Sequence, residues 1–145
     1  MAQIAAVQTL SAVAANELPG LLSPTSSEVQ KAFAKYGSSQ RFSDLAREFF
    51  SRLVSRSLNY FLSRELANHL GPNRRFASSA DIARFKSDLD LHCRQASRIL
   101  KEFASGWYGK ALRDQRPISP EQARGFAAVA LRKLRAEIRA GRDVP

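Results

Sequence analysis

A chain of 145 residues, 44% of them hydrophobic and including nine Phe and one Trp, can bury a real core and is too apolar for wholesale disorder. Its 23 Lys and Arg against 13 Asp and Glu leave a net charge of +10, which favours polyanionic partners. No apolar run approaches the ~20 residues of a membrane helix, and the single Cys93 excludes an internal disulfide.

The first segment carries no charged side chain before Glu17. Ile4, Val7, Leu10 and Ala14 are spaced as one stripe of a short helix, to be hidden against the bundle or against another subunit. AVAA at 12–15 resembles a signal-peptidase site, but there is no basic segment before it, and Gln3, Gln8, Thr9 and Ser11 interrupt any apolar core. A cytoplasmic protein is the expectation. Pro19 and Gly20 break the helix, and Ser27 with Gln30 forms a capping-box pattern for a brief second helix that Gly37 ends.

From Arg41 the pattern changes scale. Phe42, Leu45, Ala46, Phe49, Phe50, Leu53, Val54, Leu58, Phe61, Leu62, Leu66 and Leu70 recur at three- and four-residue steps, predicting one long amphipathic helix. Ser43 is its expected N-cap, and Gly71-Pro72 its stop. A polar row, Ser51, Ser55, Asn59 and Ser63, runs along it and reads as a water-facing stripe.

Ser78 with Asp81 caps the next helix, whose inward positions are Ile82, Phe85, Leu89, His92, Ala96, Ile99 and Phe103, flanked by Cys93, Leu100 and Trp107. The short connection predicts an antiparallel hairpin. A break is expected at Ser105-Gly106-Trp107-Tyr108-Gly109, followed by a basic connector. The last helix opens with Ser119, Pro120 and Gln122, turns Ala123, Phe126, Ala127, Ala130, Leu134 and Ile138 inward, and ends at Gly141. Gly125 within it predicts a close helix approach. The fold class is therefore all-α: three long antiparallel helices over residues 41–140 and one or two short helices within 1–40, in a single domain 1–145.

The charge is uneven, +2 over residues 1–70 and +8 over 71–145. Arg124, Arg132, Arg135, Arg139 and Arg142 share a narrow arc of the last helix, and Arg94, Arg98 and Lys101 recur at offsets of four and seven on the preceding one. With Lys110 and Arg113 they are the candidate nucleic-acid contacts, since guanidinium groups at helical spacing can follow phosphates. A solvated face is the competing reading. Trp107 and Tyr108 are candidates for stacking on bases or anchoring an interface, and also for plugging the end of the bundle.

Glu65/His69 and Asp88/His92 are carboxylate–His pairs at i, i+4, but an antiparallel hairpin sets the two histidines about 18 Å apart along its axis. His92 is expected to sit at the core edge, oriented by Asp88, and no catalytic, metal or cofactor site is assigned. In size, charge and helical content the chain resembles the small all-helical subunits of RNA-guided effector complexes, a likeness of class that carries no residue roles. The functional expectation is a non-catalytic subunit touching DNA or RNA backbone within a larger complex, with other protein subunits as partners. The alternative is a protein–protein adaptor whose arginines meet an acidic partner.

Overall fold

A computed structural model describes residues 1–18, 20 and 23–141. The helices are α1 (Ala2–Glu17), α2 (Ser26–Ala34), α3 (Ser39–Leu66), α4 (Ser79–Ala96), α5 (Leu100–Arg113) and α6 (Pro120–Ala140). The 3-10 turn Ser97–Ile99 joins α4 to α5 in one rod of 35 residues, and Ala67–His69 extends α3 to 31. The fold is thus the expected all-α bundle of three long helices with two short N-terminal ones. No helix among the described residues is long and apolar enough to cross a membrane.

The α3 rod and the α4–α5 rod form the antiparallel hairpin. Their register is read from three contacts: a Cβ built on Gly109 would lie 3.7 Å from Ser39 Cβ, Lys101 Nζ lies 3.0 Å from Asp44 Oδ1, and Asp90 accepts hydrogen bonds from Ser55 and, at 3.0 Å, Asn59. The turn uses backbone geometry few side chains tolerate: Gly71 has φ +130° and Asn73 φ +62°. Phe76, buried against Phe85, donates its amide to the His69 carbonyl and accepts from the Gly71 amide. Ser78 and Asp81 then close the expected capping box.

α6 returns antiparallel to the second rod, with Phe126 beside Trp107, Lys133 over Phe103 and Ile138 beside His92. Its capping box and N-terminal proline are as the sequence predicts. The core is centred on Phe50, Ala96, Leu100, Ala130 and Leu134, with Phe49, Leu53, Val54, Phe103, Phe126, Ala127 and Ile138 packed around it. α6 ends at the level of His92, so the hairpin projects beyond it.

Several local expectations are corrected. The α3 N-cap is Ser38, which accepts from the Arg41 amide, while Ser43 lies buried one turn inside and donates to the Gln40 carbonyl. The α2 box is Thr25 with Glu28, two residues earlier than expected, because a carboxylate at N3 accepts both the cap amide and the cap hydroxyl. On α1 the buried residues are Ala5, Thr9 and Val13, whereas Ile4, Val7 and Leu10 face outward. Small side chains let α1 lie close to α3, where Arg52 donates to Thr9, Arg56 to Gln8, and Glu17 pairs with both Lys35 and Arg41. Those two cations, Lys35 first, hold the Glu17 carboxyl below its ordinary range. The polar row does not face water as a whole, since Ser51 is buried and Ser55 and Asn59 point at Asp90 of α4, leaving Ser63 exposed.

The expected break at 105–109 is continuous helix, because Trp107 and Tyr108 gain aromatic contacts that outweigh two glycines. Irregularity falls earlier, at Ser97–Ile99, which leaves Ile99 exposed and brings Leu100 inward. Ala123 and Phe61, both expected inside, are exposed, and Pro19 lies outside the described residues.

Gly125 has nothing within 4 Å of a built Cβ, so no helix approach explains it. Gly125→Ala is expected to stabilise the fold by about 0.5–1 kcal/mol through helix propensity. Urea unfolding would show a raised midpoint at unchanged slope, and a lowered midpoint would contradict this account.

Candidate nucleic-acid interface

α6 is fixed at its start by the Ser119 box and along its length by Phe126, Ala130, Leu134 and Ile138 against the hairpin. Measured from Ala130 at 100° per residue, these inward residues span about −40° to +80°, whereas Arg124, Arg135, Arg139 and Arg132 span about 120° to 200°. The arginines therefore project from the side of the helix opposite the core, and all four are exposed. Over about 22 Å from Arg124 to Arg139 they form one ridge. Arg124 lies 3.5 Å from Glu121. Arg132, Arg135 and Arg139 have no carboxylate at ion-pairing distance among the described residues, and Arg142 lies outside those residues. Lys133 instead leans inward over the Phe103 ring, 5.6 Å from its centroid.

The basic residues of the second rod do not join this ridge. Lys101 is engaged with Asp44 of α3. Arg94 lines a polar cleft of about 210 Å³ with Glu48, Ser51, Arg52, Ser55 and Asp90, on the α3–α4 side. Arg98 lies in the 3-10 turn that interrupts the row, so offsets of four and seven no longer keep the three side chains in line. Lys110 and Arg113 are exposed in the last turn of α5, near the connection to α6.

Trp107 and Tyr108 are half-buried and each gives a ring face to the bundle. Tyr108 stacks on Phe42 with centroids 4.2 Å apart, and Trp107 lies 4.5 Å from Phe126 and 6.0 Å from Phe42. The aromatics left open are elsewhere: Tyr60 is 47% exposed and Phe61 65%.

The titratable groups singled out in sequence do not converge. His92 Nε2 sits 3.4 Å from the Ile138 carbonyl and its ring borders Gly141, so the end of α6 positions it and not Asp88. His69 is exposed near the hairpin turn. Among the described residues no three His, Cys, Asp or Glu side chains gather to hold a metal ion.

Cys93 is fully buried, and burial first, then the Asp90 charge, pushes its thiol from 9.0 up to about 11. The folded state therefore favours the protonated thiol. Its contribution to stability is intact below pH 9 and is lost as pH rises through 11. Alkylation of Cys93 at pH 8 is expected to be negligible in the folded protein and rapid in 6 M urea; equal rates in both would contradict the burial.

Comparisons with protein-family models, with curated proteins and with solved structures find no match.

Proposed function

We propose that the protein is a non-catalytic basic helical subunit that contacts the DNA or RNA backbone through α6, within a larger assembly. The observation that carries this reading is the row Arg132, Arg135 and Arg139, exposed, aligned opposite the core and free of carboxylate partners among the described residues. Each guanidinium that meets a phosphate releases condensed counterions, so affinity falls with salt and the slope counts the contacts. Arg124 and the α5 pair Lys110 and Arg113 extend the same positive field toward the connection between α5 and α6.

The test is titration of labelled single- and double-stranded oligonucleotides at two salt concentrations, with the wild type and the Arg132/Arg135/Arg139→Ala variant. Binding should weaken with salt, and the variant should bind less tightly with a log–log slope shallower by roughly two to three. Absence of binding at low salt, or affinity unchanged in the variant, overturns the reading.

One observation favours the adaptor alternative. α1 carries no charged side chain before Glu17 and, with Met1 at its start, presents Ile4, Val7 and Leu10 outward, the four 44–62% exposed. Stable association with a protein partner in nucleic-acid-free solution, read as mass by light scattering and abolished by Val7→Asp, would support it over backbone contact.

A further inference from the structure

The hairpin tip carries a second feature that the α6 ridge does not explain. Phe61 falls on the same line of α3 as Phe50 and Val54, about 20° from Phe50 at 100° per residue, the line that α6 covers further down. Because α6 stops at the level of His92, Phe61 lies one to two turns past its end and is 65% exposed. Tyr60 beside it is 47% exposed, and the two rings meet edge to face with centroids 5.4 Å apart. A single exposed Phe is ordinary. Here the pair is joined by Arg64 one turn on, whose guanidinium lies 5.6 Å from the Tyr60 centroid. Arg74 and Arg75 stand in the turn beyond, with Arg74 reaching back to the Asn68 carbonyl of the same rod.

None of Arg64, Arg74 and Arg75 has a carboxylate at ion-pairing distance among the described residues. Arg84 is different, since it adds a smaller attraction to the Ser78 hydroxyl and amide hydrogen bonds that hold the Asp81 carboxyl below its ordinary range. From Tyr60 to Asn68 is about 12 Å along the helix axis, the span of two or three nucleotides of an extended strand. The exposed Phe61 ring and the Tyr60 ring, one face of which Arg64 covers, offer stacking surface at one end of that length, and the guanidinium groups toward the turn offer partners for phosphates at the other. A duplex hides its base faces and has no use for the rings.

We infer that Tyr60, Phe61 and Arg64, with Arg74 and Arg75, form a separate site for unpaired nucleotides, stacking bases on the two rings and phosphates on the arginines. The inference shares the polyanion reading of the chain but stands on different residues. The two fail separately.

The experiment measures fluorescence anisotropy of three labelled twelve-nucleotide probes: oligo-dT, a duplex of mixed sequence, and a strand of abasic sugars with the same phosphates. The proteins are the wild type, Tyr60→Ala/Phe61→Ala, Phe61→Trp, and Arg132/Arg135/Arg139→Ala. Loss of the two rings is expected to weaken oligo-dT binding by about tenfold or more and to leave the duplex within about twofold. Wild-type affinity for the abasic strand should fall to that of the ring-deleted protein for oligo-dT, and Phe61→Trp should retain oligo-dT affinity. Equal loss on oligo-dT and duplex, or none on either, overturns the site and leaves the rings as a protein contact. If the ridge variant binds all three probes normally while the ring variant loses oligo-dT, the tip site stands and the α6 reading falls.

Discussion

Leu134→Ala is expected to lower the unfolding free energy by about 3–4 kcal/mol. Leu134 has no exposed surface and sits in the cluster of Phe50, Ala96, Leu100 and Ala130 where all three long helices meet. Truncation forfeits the transfer energy of the side chain and leaves a hole that its neighbours are poorly able to fill. Two of those neighbours are alanines that cannot extend into it, and Phe50 is held edge-on by Phe49 and Phe126. Thermal unfolding should shift down by roughly 6–12 °C. Leu131→Ala, three residues earlier at 40% exposure, is the control and should cost less than about 1 kcal/mol. Equal shifts for the two would mean that α6 is not seated as described.

Phe126→Ala should cost a similar amount, about 3–5 kcal/mol, by a different route. Its ring is the hub of an aromatic cluster, stacked at 5.3 Å on Phe103, 4.5 Å from Trp107, and 5.8 and 6.0 Å from Phe42 and Phe50. Those contacts join α3, α5 and α6 in the half of the bundle near the α5–α6 connection. Removing the hub opens the Trp107 ring to water, and because Trp107 is the only tryptophan its emission reports the change directly. A red shift together with a lowered urea midpoint is expected. A destabilised protein with unshifted emission would place the loss somewhere other than this cluster.

These two residues were both legible in the sequence, and the reason is periodicity. Long helices whose apolar residues recur at three and four must bury that stripe, so Phe50, Ala96, Ala130 and Leu134 followed from spacing, whereas Leu100 took the inward place expected of Ile99 because of the turn at Ser97–Ile99. Caps with a proline or a complete box were equally clear at Ser78 and Ser119. What spacing could not supply is the extent of each partner. Phe61 carries the same signal as Phe50, and only the length of α6 decides that one is covered and the other is not.

On α1 the stripe and its opposite face are both apolar, so the period names two candidates and close approach selects the smaller side chains. At 105–109 two glycines outvoted the aromatics between them on propensity, while tertiary stacking settled the matter the other way. In the candidate interface the α6 arc was readable because an uninterrupted helix preserves angle. The row through Arg94, Arg98 and Lys101 was not, because one tight turn at Ser97–Ile99 rotates everything after it.

The order of elements along the chain has a consequence during synthesis. The hairpin is built from neighbouring segments joined by a turn that stabilises itself, whereas the third wall of the core is supplied by α6, the last helix described. Until residues 120–140 have been added and have left the ribosome, Phe50 waits with one side open to water. A nascent chain stalled before Leu134 would be sticky in a way the finished protein is not. Rapid completion, or a chaperone occupying that vacant wall, is the natural remedy.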